Sequence, residues 1–287
     1  VQTTAADGTV AIGYGSMQNL TSGAGNLAVG SGSLKAVTTG AGNTAIGELA
    51  GSKIVDGAYN TAVGYHALRD APEAAAHNTA VGYNALPIVS TDGDGRNTAV
   101  GSRAGLAVSS GIFNNFFGNG AGVAISTGGY NTAIGGDALA SEDTGTATVA
   151  IGHGAAYSQN YDGSSGNVAL GHNAGYHNVT GTSNTYIGKA AGLGSSGQSN
   201  SNNTAVGSGA LQVITDGGEN VAIGNATGDA LTTGHNNTFV GRAAGSATEE
   251  VSDTVIVGAD AAESNMTTAA DGTIAVGKQA LQSLTSG

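Results

Sequence analysis

Cysteine and tryptophan are absent from the 287 residues, and proline occurs only twice. Without Cys there is no disulfide framework and no thiolate metal site. Packing and hydrogen bonding must hold the fold, which suits an exported protein. Charge is also scarce: 10% of residues are Asp, Glu, Lys or Arg, eight of them basic and twenty acidic, for a net charge of −12. An acidic chain with scattered cations repels phosphate backbones, which argues against a nucleic-acid partner. No stretch approaches the roughly 18 consecutive apolar residues that cross a bilayer as a helix, so no membrane insertion is expected in this segment. No signal peptide or initiator Met opens the chain at Val1, which reads as a mature form or as a piece of something longer.

Glycine, by contrast, supplies 51 residues. With so little proline and no three-residue period this is not collagen. The 39% apolar share is too high for a disordered chain carrying this little charge. The glycines mark a repeat. Asn43-Thr44-Ala45-Ile46-Gly47 returns as Asn60-Thr61-Ala62-Val63-Gly64 and, in altered forms, through the whole chain. Its closing glycine occurs sixteen times from Gly13 to Gly277, at intervals of 17 to 19 residues. A short fixed period with small insertions is the signature of a solenoid. Seventeen residues are too few for two helices and their turns, but suit two short strands and two tight turns. The predicted fold class is all-β: a single continuous parallel β-solenoid over residues 1–287, of about sixteen rungs with a 17–19-residue period. At roughly 4.8 Å per rung, fifteen steps span about 70 Å.

Numbering each rung from its marker glycine as zero separates the roles. Position −1 is always apolar, and −3 is Thr or a branched aliphatic in most rungs. These share one strand face, which is expected to point inward. Position −2, Ala in twelve rungs, is then on the outer face, a smooth stripe for packing against further copies. The alternative is that −2 is a second core face in a thin roll. Asn at −4 in twelve rungs predicts an amide ladder. Position +3 is small throughout, and +4 alternates between Leu-like residues and Gly. The marker glycine and a second Gly at −7 in nine rungs answer the needs of corners: positive φ or close backbone approach.

Insertions at 69–77, 87–96, 156–166, 192–202 and 259–272 are expected to be loops along an edge. Rung seven, Phe113-Asn114-Asn115-Phe116-Phe117-Gly118, departs most from the pattern. Phe116, Tyr186, Phe239 and Ile256 replace the −2 Ala, and are read as interface filling rather than ligand anchors. Residues 3–23 and 267–287 agree at fourteen of 21 positions, at an offset of 264. That suggests one super-repeat of a longer fibrous protein.

Chemistry is thin. No Gly-x-Ser-x-Gly elbow precedes a helical run, and no acidic cluster stands out, so no catalytic residue is assigned and the chain is expected not to be an enzyme. Asp92-Gly93-Asp94-Gly95 resembles part of a calcium loop but lacks the downstream Glu, and a plain turn is favoured. His153 and His172 share position +1 in consecutive rungs, with His177 nearby. A stacked exposed pair is favoured over a metal site, and neither a metal nor a cofactor is expected. Tyr14, Tyr65, Tyr83, Tyr157, Tyr161 and Tyr176 could stack on sugars, although exposed turn tyrosines are the simpler account. Ice binding would need Thr-x-Thr ranks, and −1 is always apolar.

The pattern Asn-Thr-Ala-Val/Ile-Gly-x-x-Ala-Leu/Gly, seen at 60–68, 78–86 and 203–211, resembles the head repeats of trimeric autotransporter adhesins. It is also similar to repeats in phage and virus tail fibres and in long bacterial surface proteins. The resemblance implies a left-handed parallel β-roll, three chains side by side, an extracellular or virion location and a role in attachment. The function expected is therefore that of an extracellular structural or adhesive fibre segment, self-associating as a homotrimer or filament, with a host surface, matrix or glycan as ligand. A purely structural filament subunit is the alternative, and a carbohydrate-active solenoid enzyme a weaker one.

Overall fold

The computed structural model describes residues 7–71, 74–89 and 94–285. The chain forms a parallel β-solenoid in two compact units, Val1–Thr146 and Ala147–Gly287. The first holds β1 (Val10–Ile12), β2 (Leu27–Val29), β3 (Thr44–Ile46), β4 (Thr61–Val63), β5 (Thr79–Val81), β6 (Thr98–Val100), β7 (Asn115–Phe117) and β8 (Thr132–Ile134). The second holds β9 (Val149–Ile151), β10 (Val168–Leu170), β11 (Thr185–Ile187), β12 (Thr204–Val206), β13 (Val221–Ile223), β14 (Thr238–Val240), β15 (Val255–Val257) and β16 (Ile274–Val276). Within each unit the strands pair in parallel and in chain order, one rung per period, so that Ala28 faces Ala45 and Ala45 faces Ala62. One 3-10 turn, Thr268–Ala270, precedes β16.

Each rung contributes one strand among the described residues, where the period suggested two. The far side is a chain of turns. Backbone φ is positive at +2 and +4, as at His66 (60°) and Leu68 (49°), and extended structure does not tolerate that alternation. The turns still pair from rung to rung: Leu34 N–H donates to the Ala50 carbonyl at 3.0 Å, and Gly51 N–H to Ala67 at 2.9 Å.

The strand faces are reversed from the sequence expectation. Ala28, Ala45, Ala80, Ala99 and Ala133 at −2 are 0% exposed, while −1 and −3 point outward. The physical reason is width. The interior lies between the −2 ladder and the +3 ladder, where Ala50, Ala67, Ala85, Ala104 and Ala121 are also fully buried. Two facing columns of Ala fit a slot that a column of Val and Ile would force open. Larger groups enter from +4 and +7: Leu68, Leu86, Ile54 and Ile125 are fully buried.

The aromatic −2 residues are therefore core residues, and neither interface fillers nor ligand anchors. Phe116, Tyr186 and Phe239 are buried, and each lies against glycines at +4 in its own rung and the one before. A Cβ on Gly122 would sit 2.5 Å from the Phe116 ring, and one on Gly105 2.9 Å from it. Gly192 and Gly175 stand in the same relation to Tyr186, at 2.3 and 2.8 Å. In four rungs with Ala at −2, at Ala62, Ala80, Ala133 and Ala205, +4 is a buried Leu: Leu68, Leu86, Leu139 and Leu211; where +4 is Gly beside an Ala, at Gly105, Gly175 and Gly228, the ring of the next rung fills the space. The alternation at +4 is volume compensation. The Tyr186 hydroxyl bonds the Asn200 side-chain oxygen, and burial pushes its pKa far above the usual phenol range, so it stays neutral.

The amide ladder forms as the Asn spacing predicts. Asn26 Oδ1 accepts from Asn43 N–H at 2.9 Å and from its side-chain amide at 3.2 Å, while Asn43 Nδ2 donates onward to the Gly57 carbonyl at 2.9 Å. The series continues through Asn60, Asn78, Asn97, Asn114 and Asn131, and in the second unit from Asn167 through Asn184, Asn203, Asn220 and Asn237 to Thr254. Every member is buried. Asn114→Ala orphans the Asn131 N–H and the Gly128 carbonyl. Each buried unpaired group costs about 1–3 kcal/mol, so a clear fall in the urea midpoint is expected. An unchanged midpoint would show the ladder to be dispensable. The marker glycines have a backbone cause: Gly47 sits at φ 134°, and a Cβ there would lie 2.4 Å from the Gly64 carbonyl oxygen.

Candidate functional site

Side chains at −3 and −1 of successive strands form two columns on the outer face. In the first unit they run Val10, Leu27, Thr44, Thr61, Thr79, Thr98, Asn115, Thr132 and Ile12, Val29, Ile46, Val63, Val81, Val100, Phe117, Ile134. They are half-buried or exposed, Ile46 at 39% and Phe117 at 40%. Neither column carries a charge in either unit. Parallel pairing repeats the same rank at about 4.8 Å intervals, giving in each unit a neutral, largely β-branched surface. Thr is outward, but its partner at −1 is apolar in every rank, so Thr-x-Thr ranks do not occur.

The rims of this face carry ring stacks. At +1, Tyr65 and Tyr83 stack at 5.7 Å with planes 7° apart, and His153 and His172 at 5.4 Å and 13°. Away from this face, on the turn side at +5, Tyr157 and Tyr176 stack at 4.8 Å and 2°. These paired rings turn faces to each other, and His66 also stacks on Tyr65 at 3.7 Å, which reduces the ring face left for a sugar. His177 sits edge-on to Tyr176 at 4.7 Å. His153 and His172 supply two ring donors where a structural zinc site takes four, and among the described residues no group of three or more His, Asp or Glu gathers.

A further rim column was not anticipated. At −5, Tyr59 stacks on His77 at 5.3 Å, the Arg96 guanidinium lies 5.2 Å over Phe113, and Phe113 stacks on Tyr130 at 5.2 Å. The signal was present in the sequence as bulky residues at one position of five successive rungs, hidden by the 18- and 19-residue intervals. Asp94 joins the column, accepting from His77 at 2.7 Å and Arg96 at 2.6 Å. Hydrogen bonds from Arg96 and then His77 hold its carboxyl below the usual range. The carboxylate of the calcium-like turn is thus paired with the Arg96 guanidinium and the His77 ring; Asp92 and Gly93 lie outside the described residues. Asp70 is similarly held by Lys53, at 2.7 Å, and Arg69. Burial would raise its pKa, but the hydrogen bonds from these two cations outweigh it and lower it.

An open cleft of about 450 Å³ lies among Gln212, Val213, Asp229, Thr232 and Glu249. Burial raises the Asp229 pKa, against backbone hydrogen bonds that lower it. For a carboxylate the raised value means stability falls as pH climbs through the unfolded value, about 3.9, toward the folded one. Asp229→Asn should therefore be more stable than the native chain at pH 7 and lose that advantage below pH 4. Equal melting temperatures across that range would count against the shift.

No family model, curated protein or solved structure matches the chain.

Proposed function

We propose that the chain is an extracellular fibre segment that associates side by side with copies of itself through the outward strand face, and that its function is structural and adhesive. The observation that carries this is the face itself: in each unit two columns made mostly of Thr, Val and Ile, free of charge in a chain of net charge −12. Like-charged copies repel except where charge has been removed, so a neutral face fits another copy of the same chain. An extended regular apolar surface of this kind is also what an assembly interface offers. The resemblance of the repeat to adhesin heads supports an attachment role, with the aromatic rims as the places where a host surface, matrix or glycan would be met. A purely structural filament is favoured instead by the correspondence of residues 3–23 with 267–287.

Sedimentation of the native chain should give a mass above one copy at micromolar concentration. Thr61→Glu combined with Val63→Glu, which places two carboxylates on the outer side of β4, should give single copies with unchanged circular dichroism. A native chain that stays single, or a variant that keeps the native mass, overturns assembly through this face. Glycan-array or cell-binding signal that survives this variant but falls with Tyr59→Ala would place ligand contact on the rim.

A further inference from the structure

Without cysteine, a covalent tie between rungs has to come from another side chain. Tyrosine can supply one, because two phenol rings can be joined directly. They join only where they meet, and a parallel solenoid arranges the meeting. Equivalent residues of adjacent rungs sit about 4.8 Å apart, so two rings there must lie against each other. Tyr157 and Tyr176, both at +5 in the second unit, stack at 4.8 Å with planes 2° apart. Their backbones are pinned at neighbouring levels. Ala156 N–H donates to the Ala174 carbonyl and Ser158 N–H to the Tyr176 carbonyl, each at 2.9 Å. Both residues are half-buried on the turn side, clear of the strand face proposed for assembly. Tyr65 and Tyr83 are looser, at 5.7 Å on the rim of that face, and His66 already lies against Tyr65. Tyr14 is far more open, at 89% exposed, but has Ser31 at the same position of the next rung.

We propose that Tyr157 and Tyr176 are an oxidative cross-linking site, at which a haem peroxidase acting with hydrogen peroxide joins rung nine to rung ten. Each phenol gives up its hydroxyl proton and one electron. The unpaired electron of each phenoxyl radical is shared with the carbons beside the oxygen-bearing one, the Cε atoms. A bond forms between Cε of Tyr157 and Cε of Tyr176 as the rings swing about their side-chain bonds. The hydrogen on each bonded carbon leaves as a proton, and each oxygen takes a proton back. In balance, two C–H bonds are lost, one C–C bond is made, and one hydrogen peroxide becomes two waters. Holding the partners in contact replaces the chance meeting of two dilute radicals, the general advantage of an intramolecular reaction. Geometry thus selects this pair, where exposure alone would select Tyr14. The product closes a loop of the unfolded chain, as a disulfide does in other proteins. The site needs no second copy of the chain, so it stands apart from assembly through the outer face.

The native chain is oxidised with a haem peroxidase and hydrogen peroxide, then digested with a protease that cuts before aspartate. Cleavage before Asp162 separates the two tyrosines, so peptides 143–161 and 162–215 stay joined only through a cross-link. More than half of the dityrosine, read by its fluorescence, should run with this joined pair, two hydrogen atoms lighter than the sum of its parts. Tyr157→Phe and Tyr176→Phe should each remove the joined pair with circular dichroism unchanged, and Tyr161→Phe should leave it. The coupled chain should unfold at higher urea than the uncoupled one. Absence of the joined pair, its survival in Tyr157→Phe, or dityrosine formed mainly through Tyr14 or between chains overturns the assignment. Equal urea midpoints overturn the role of the bond as a tie between rungs.

Discussion

Ala133→Glu is expected to abolish the folded sheet, while Thr132→Glu, one residue away, is expected to preserve it. Ala133 is fully buried in β8, beside Phe116 of β7, in a slot lined by small side chains. A carboxylate there has neither water nor a partner, and burying an unpaired charge in a packed interior costs about 4 kcal/mol or more. That is a large share of the stability of an ordinary domain. Thr132 points the other way, and its replacement adds charge only to the outer face. Circular dichroism and soluble yield read the first effect, and sedimentation reads the second. Native-like spectra for Ala133→Glu would mean that −2 does not face the core. The sequence alone points to the opposite outcome, with Ala133→Glu dispersing copies and leaving the sheet intact.

Phe116→Ala should lower stability by about 3–5 kcal/mol, the usual cost of emptying a buried aromatic site. Adding Gly122→Leu should restore more than half of it. In the rungs around Ala62, Ala80, Ala133 and Ala205, a Leu at +4 accompanies the Ala, at φ between 44° and 53°. The Phe116→Ala/Gly122→Leu pair recreates that arrangement. Gly122→Leu alone should also destabilise, since its first side-chain atom would already lie 2.5 Å from the Phe116 ring. Denaturant midpoints for the native chain, both single variants and the double variant form a complete cycle. Independent, additive losses would refute compensation between −2 and +4.

The period was legible because a backbone requirement produced it. Gly47 and its counterparts occupy a φ and an approach distance that side chains do not tolerate, and such positions show through any variation around them. The amide ladder was legible for a similar reason, since a buried Asn needs the same partner in every rung. The direction of the strand was not legible. Ranking Val63 above Ala62 in hydrophobicity places Val inside, and in a thick core that ranking holds. In a slot two Ala wide, fit outranks hydrophobicity. The clue lay in Gly105 and Gly122 on either side of Phe116, and in Leu68 beside Ala62, a correlation across the rung that no single column displays. The second strand was lost to a local cause: residues such as His66 and Leu68 hold left-handed conformations that only the folded rung reveals.

A core built of alanine also changes how the protein should answer temperature. The heat-capacity change of unfolding grows with the apolar area exposed and shrinks with the polar area. Each rung hides two methyl groups and one larger side chain, but also several backbone hydrogen bonds and an amide. The balance per residue should fall below the about 12–15 cal/mol/K of ordinary globular domains. A smaller value flattens the curve of stability against temperature, weakening both the rise on cooling from the melting point and the decline toward cold denaturation. Such a chain would hold nearly constant stability across a wide thermal range.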